Sequence, residues 1–207
     1  MVHNCEAGWV FYNNRRPKDK FEKRKVTPPG KGLKFAVVNF EDQEFRIEPI
    51  PHEKQIGRFD KRRRILVLRD PFNMFASRIK LFGKNNIDKW VQLWKQHARS
   101  VVDHVSTFDF VDYNRWFENK TYRNELADRF HLSKADAYLN RVATKANGSS
   151  FDGTAYDGKG QSMKIGERWK QMLDNDVFIK AVTDVEVIDL AREIFGEIEP
   201  ILHLEKL

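Results

Sequence analysis

The sequence has little cysteine: Cys5 stands alone among 207 residues. That excludes an intramolecular disulfide framework and a cysteine-rich zinc site, and it makes a reducing compartment the expectation. Long apolar runs are missing as well. No stretch approaches the roughly 20 consecutive apolar residues of a membrane-spanning helix. The N-terminus is charged and polar where a secretory signal needs an apolar core. A cytoplasmic protein without a membrane span is the reading. His3, His97, His104, His131 and His203 form no compact ligand set. His97 and His104 stand seven apart on one predicted helix, but no carboxylate or cysteine spacing completes a site, so no metal is expected. There is no Gly-x-Ser-x-Gly elbow of a serine hydrolase, and no internal repeat.

What is present describes a folded chain. Hydrophobic residues make up 41% and charged residues 32%, with sixteen Phe and five Trp to supply large buried areas. The length suits a single domain over 1–207, its first 32 residues polar and irregular. The formal charge of +7 is concentrated in RRPKDKFEKRK (15–25) and KRRR (61–64). Such a balance favours anionic partners, whether nucleic acid, a membrane surface, a nucleotide or an acidic substrate; equally, such runs serve as solvated faces.

Along the chain, TPPGKG (27–32) is turn-rich, and LKFAVVNF (33–40) reads as a buried strand. EDQEFRIEPIPHEKQIGRFD (41–60) is a proline-containing connection, and RILVLRD (64–70) is a second buried strand. Two apolar runs without alternation suit a parallel sheet covered on both faces. Asp70-Pro71 starts a helix, an N-cap residue followed by Pro at the first helical position. In 87–106, Ile87, Trp90, Val91, Trp94, Ala98, Val101, Val102 and Val105 form one apolar stripe, so both tryptophans belong to the core. FDFVDYNRW (108–116) alternates like a strand. KTYRNELADRF (120–130) and SKADAYLNRVA (133–143) read as helices, the second with Ser133 as N-cap and Asp136 at the third helical position. NGSSFDGTAYDGKGQS (147–162) is a Gly/Ser-rich loop, and 166–196 is helical, closed by Gly196. Strands joined through helices predict an α/β, three-layer α/β/α architecture with a short parallel sheet and a helix-rich C-terminal half.

The segment RDPFNMFASR (69–78) carries the chemistry. A strand delivers Arg69 at its C-terminal edge, where open parallel sheets bind ligands. The following helix turns its free N–H groups and positive dipole end toward the same crevice. Ser77 lies nearly two turns along that helix. A guanidinium that forks onto two oxygens and a hydroxyl that donates a third bond can hold a phosphate monoester. The alternative is an arginine paired with Asp70 at a helix cap and a serine that merely packs; spacing does not choose between them.

RDPFNMFAS resembles the motif of sulfotransferases that use 3′-phosphoadenylyl sulfate (PAPS), in which a strand ending in Arg-Asp/Asn-Pro precedes a helix whose Ser lies eight residues after the Arg. In that family both residues contact the 3′-phosphate of the nucleotide, and Arg69 and Ser77 match in type and spacing. VDYNRWFENKTYRNELADRFHL (111–132) is similar to the family's strand with a Tyr/Asn-rich turn before helices. NGSSFDG (147–153) with GERWKQML (166–173) resembles its late glycine-rich loop and Arg-Trp helix, which makes Arg168 a further cofactor ligand. The likeness spans about residues 33–196. It implies a fold related to that of P-loop NTPases, PAPS as donor, and sulfuryl transfer to a hydroxyl or amine of a glycan, peptide or small-molecule acceptor.

One departure stands out. The family opens with a Ser-Gly-Thr-Thr strand–loop–helix that cradles the 5′-phosphosulfate and carries a catalytic Lys. Nothing of that kind precedes residue 33, and PPGKG (28–32) lacks the spacer and the following Ser/Thr, so it reads as a turn. The expectation is that the first βα unit is missing, as a start site placed too late in the gene would produce, or that the cradle is replaced. Transfer also needs a base for the acceptor's proton. By family likeness Glu41, just after the strand 33–40, and Glu6, in HNCEAG, are the candidates; His52 has suitable chemistry in a proline-flanked connection. Two other functions stay open. One is a non-catalytic nucleotide-binding remnant of the fold. The other is a nucleic-acid-binding module built on the basic runs with Trp9, Tyr12 and Phe21 for stacking.

Overall fold

A computed structural model describes residues 9–13, 35–39, 65–103, 108–132, 136, 139–142 and 148–204; of 9–13 and 35–39 it describes the backbone. The chain divides into two compact units, Met1–Arg63 and Arg64–Leu207. In the first, β1 (Trp9–Asn13) pairs in parallel with β2 (Phe35–Asn39). The strand expected in 33–40 is present. β1 corrects the reading of 1–32 as irregular: WVFYN is a short β-prone run that the surrounding polar residues mask.

The second unit holds β3 (Ile65–Leu68), α1 (Pro71–Phe82), α2 (Ile87–Val102), β4 (Asp109–Asp112), α3 (Tyr113–Glu118) and α4 (Lys120–Phe130). A 3-10 helix (Ile165–Met172), α5 (Asp176–Val182), α6 (Val185–Phe195) and α7 (Glu199–Leu204) complete it. The unit is α/β and helix-rich. β3 and β4 are parallel, with Ile65 opposite Asp109 and Leu68 opposite Asp112. Their C-terminal ends therefore lie side by side.

α1 begins as its sequence dictates. The Asp70 carboxylate accepts from the Asn73 backbone N–H at 2.8 Å, and Pro71 occupies a position whose N–H would have no helical partner. The helix stops at Gly83, whose N–H donates to Ile79 O and whose φ of 70° with ψ of −169° is a backbone region that side chains strongly disfavour. Phe72, Phe75, Ala76 and Ile79 face the core, each large one contributing about 1.5–3 kcal/mol by burial. Trp90 and Trp94 of α2 join them, with Phe75 edge-on to Trp94 at 6.3 Å, and Phe178, Val182 and Val187 close the cluster from α5 and α6. A smaller cluster forms around Val111, Tyr122 and Leu126. Lys95, only 5% exposed, ties α2 to α6 through Asp184 at 2.6 Å and Glu186 at 3.2 Å.

Four local expectations need correction. β3 is not buried on both faces: Ile65 and Val67 are 45% and 51% exposed. The strand expected over 108–116 ends at Asp112, because the Asp112 carboxylate accepts from the N–H groups of Asn114 and Arg115 and caps α3 there. In the helix expected over 133–143, the described residues 136 and 139–142 are irregular or turn. Asp136 binds the Arg123 side chain at 2.9 Å, and Asn140 O accepts from Gly160 N–H; Ser133 lies outside the described residues. Finally, 166–196 is three segments, since Asn175 and Asp184 each cap a new helix; Gly196 ends α6 as expected.

Candidate functional site

The adjoining ends of β3 and β4 bring together residues 44 positions apart. Asp70 and Asn114 follow the two strands, and Asn114 Nδ2 donates to Asp70 Oδ2 at 2.7 Å. Asp70 is fully buried. Both its oxygens also accept from Asn73 Nδ2 at 3.1 Å. The carboxylate is thus committed to amide donors, and Arg69 is left for other work.

Arg69 spreads over this edge. Its Nη1 donates to Ser77 Oγ at 3.3 Å and its Nη2 to Ile165 O at 2.6 Å, with the Tyr113 ring 5.5 Å from its guanidinium carbon. Ser77, accepting from Arg69, keeps its own O–H to donate onward. The two residues singled out by spacing therefore meet, because two turns of α1 return residue 77 toward the strand end. The Arg69 backbone is fixed from the core side, where Trp94 Nε1–H donates to Arg69 O at 2.9 Å.

Arg168 enters from the 3-10 helix and is 6% exposed. Its Nη1 donates to Ser150 Oγ at 3.3 Å, and its Nη2 to Ser149 Oγ at 2.8 Å and Asp152 Oδ2 at 3.1 Å. Phe151 stacks 5.3 Å from the guanidinium. The loop expected over 147–162 is thus organised: Ser149 and Gly153 bridge, and Gly148, at φ 78°, passes so close that a Cβ would lie 2.3 Å from Gly153 O. Burial pushes the Arg168 guanidinium below its ordinary pKa, and the positive charge of Arg69 pushes the same way, against the pull of Asp152 and Tyr113. Two guanidiniums therefore lie near enough to feel each other's charge, and Asp152 pairs with one of them, Arg168. Both Arg69 Nε and Arg168 Nε are buried with no hydrogen-bond partner among the described residues.

A cleft of about 340 Å³ lies beside the cluster, lined by Glu118, Met163, Lys164, Ile165 and Gly166 among others. Burial, together with the charges of Asp112 and Asp70, raises the Glu118 carboxyl above its usual range. Burial raises Asp112 too, against the backbone N–H groups it accepts from. An acidic flank and a basic flank thus meet at Ile165 and Gly166.

Arg69 and Ser77 are in contact, and Arg168 lies near enough for the charge of Arg69 to act on it. Glu41, Glu6 and His52 lie outside the described residues. Sequence reasoning missed Asn73, Tyr113, Ser149 and Asp152. Asn73 stands in the first turn of α1 beside Asp70, but its partners at Gly166 and Arg168 are more than 90 residues away. Among the described residues no group of three or more His, Cys, Asp or Glu is placed to hold a metal ion, and no helix is long and apolar enough to cross a membrane. No family model, curated protein or solved structure matches the chain.

Proposed function

We propose that Arg69, Ser77 and Arg168 bind a phosphate monoester, the 3′-phosphate of PAPS, and that the chain is a sulfotransferase-like protein of the P-loop-related fold. The observation that carries the reading is the pair of buried, unpartnered Nε–H groups on Arg69 and Arg168, two guanidiniums near enough for the charge of one to act on the other. Unpaired buried donors cost about 1–3 kcal/mol each, and a dianionic phosphate would satisfy them and offset the repulsion. The cleft that shares Ile165 leaves room for the rest of a nucleotide.

In the reaction, the acceptor oxygen or nitrogen forms a bond to sulfur as the bond from sulfur to the bridging phosphate oxygen breaks. Adenosine 3′,5′-bisphosphate leaves, and the acceptor's proton passes to a base, for which Glu41 and Glu6 are the candidates. The role of Arg69, Ser77 and Arg168 is to hold and orient the donor, so their contribution is positional and electrostatic.

Isothermal titration with adenosine 3′,5′-bisphosphate tests the binding. Saturable heat that Arg69→Ala abolishes is expected; no heat, or heat unchanged in the variant, overturns the reading. Transfer of labelled sulfate from PAPS to an acceptor in an extract then separates an enzyme from a nucleotide-binding protein of the same fold. Glu41→Gln and Glu6→Gln test the base, and full activity in both would refute the assignment.

A further inference from the structure

The side chain of Asn73 is spent on the frame of the proposed phosphate site, and its amide touches both halves of that frame. The residue is 1% exposed. Its Nδ2 donates to Asp70, beside Arg69, and to Gly166 O at 3.0 Å. Its Oδ1 accepts from the backbone N–H of Arg168 at 2.9 Å and of Trp169 at 3.3 Å. Every polar atom of this side chain is used, and its bonds to Gly166, Arg168 and Trp169 run across 93 to 96 positions of sequence.

We infer that Asn73 is a positioning residue: its amide clamps the 166–169 turn onto the start of α1, so that Arg69 and Arg168 converge on one anion. The inference rests on the phosphate-binding reading above. Two guanidiniums repel, so something else must hold them together while the site is empty. The Arg69–Ile165 bond fixes one side of the turn. Asn73 is the side chain that grips the backbone of Arg168 itself. Both polarities are required, because the turn offers Asn73 a carbonyl at Gly166 and two N–H groups at Arg168 and Trp169. A hydrophobic residue of equal size would supply neither, and a carboxylate would supply only the acceptor. Gly166 suits the contact for a further reason: a Cβ there would come within 3.3 Å of Glu118 Oε1.

The test uses the full chain with Asn73→Ala and Asn73→Asp, titrated with adenosine 3′,5′-bisphosphate. Residues that orient a binding group typically govern affinity by about 10- to 100-fold, and a weakening in that range is expected for both variants at pH 8. The aspartate variant adds a readout that plain loss of packing would not move. Its new carboxyl faces Asp70, with Arg69, Arg168, Asp112 and Glu118 in the surroundings, and its protonated form regains one donor while keeping the acceptor. The ratio of its Kd to that of the wild type should therefore fall as pH drops from 8 to 5.5. Independently of ligand, amide exchange at Arg168 and Trp169 should quicken about tenfold in Asn73→Ala relative to core amides such as Val182. Wild-type binding that both variants retain, a Kd ratio flat with pH, or unchanged exchange at the two amides overturns the positioning role alone. Absence of binding by the wild type overturns the functional reading and the positioning role together.

Discussion

Arg69 donates to the carbonyl oxygen of Ile165 at 2.6 Å, joining residues 96 positions apart. The contact places the arginine at the end of β3 against the segment that carries Arg168. It makes the site a product of two distant pieces of chain.

Asp152 is the carboxylate that faces Arg168, and a bound phosphate would compete with it for the same guanidinium. Asp152→Asn should tighten binding of adenosine 3′,5′-bisphosphate by roughly fivefold at low salt, as a like-charge repulsion of about 1 kcal/mol at a part-exposed site is removed. Titration at two ionic strengths measures it, and the gain should shrink as salt rises. Weaker binding in the variant would mean that Asp152 orients Arg168 more than it competes for it.

Trp94 links the core to the site through one bond, Nε1–H to Arg69 O. Trp94→Phe keeps an aromatic ring against Phe75 but loses the donor and leaves a gap. A stability loss of about 1–3 kcal/mol in urea unfolding is expected, together with weaker nucleotide binding in the still-folded variant. Lowered stability with unchanged affinity would confine Trp94 to the core.

The Lys95 junction sets the acid limit of the helical unit. Burial alone would raise the Asp184 carboxyl, but the hydrogen bond from Lys95, the Val187 N–H and the ammonium charge outweigh it and hold the group below its usual range. Glu186 behaves alike: the bonds from Arg99 and Lys95 overcome the effect of burial. A carboxyl depressed in the folded state binds fewer protons there than when unfolded. It therefore stabilises the fold above its unfolded pKa, and that stability is lost as pH falls through the lower folded value. Urea midpoints should decline below about pH 4, the ordinary carboxylate range. Lys95→Met should cost about 1–3 kcal/mol at pH 7, discounted because both carboxylates are part-exposed, and should flatten this acid decline. An undiminished decline would assign it to other groups, such as Asp136 with its Arg123 bond.

Much of the second unit was legible because its signals are local. Asp70-Pro71 and Gly83 bound α1, and the stripe through Trp90 and Trp94 fixed which face of α2 is buried. Capping by Asp112, Asn175 and Asp184 was underread, since a side chain that accepts a nearby N–H looks the same in sequence as one facing solvent. Local propensity favours a helix over 133–143, yet its described residues are irregular or turn, and Asp136 binds Arg123, a partner outside the segment.

The sequence by itself determined the elements that carry Arg69 and Ser77, a strand end and the helix that follows it. The bond between them needs the Arg69 side chain to run along α1 rather than to Asp70. Only the tertiary structure decided the rest: that Arg168 comes within reach of the charge of Arg69, that Asp152 pairs with Arg168, and that Asn73 clasps the Arg168 backbone. The Asn73–Arg168 contact crosses 95 positions and the Arg168–Asp152 pair 16. Their bonds form only once burial of Phe72, Trp94 and Trp169 has brought the pieces together, and no local propensity records that.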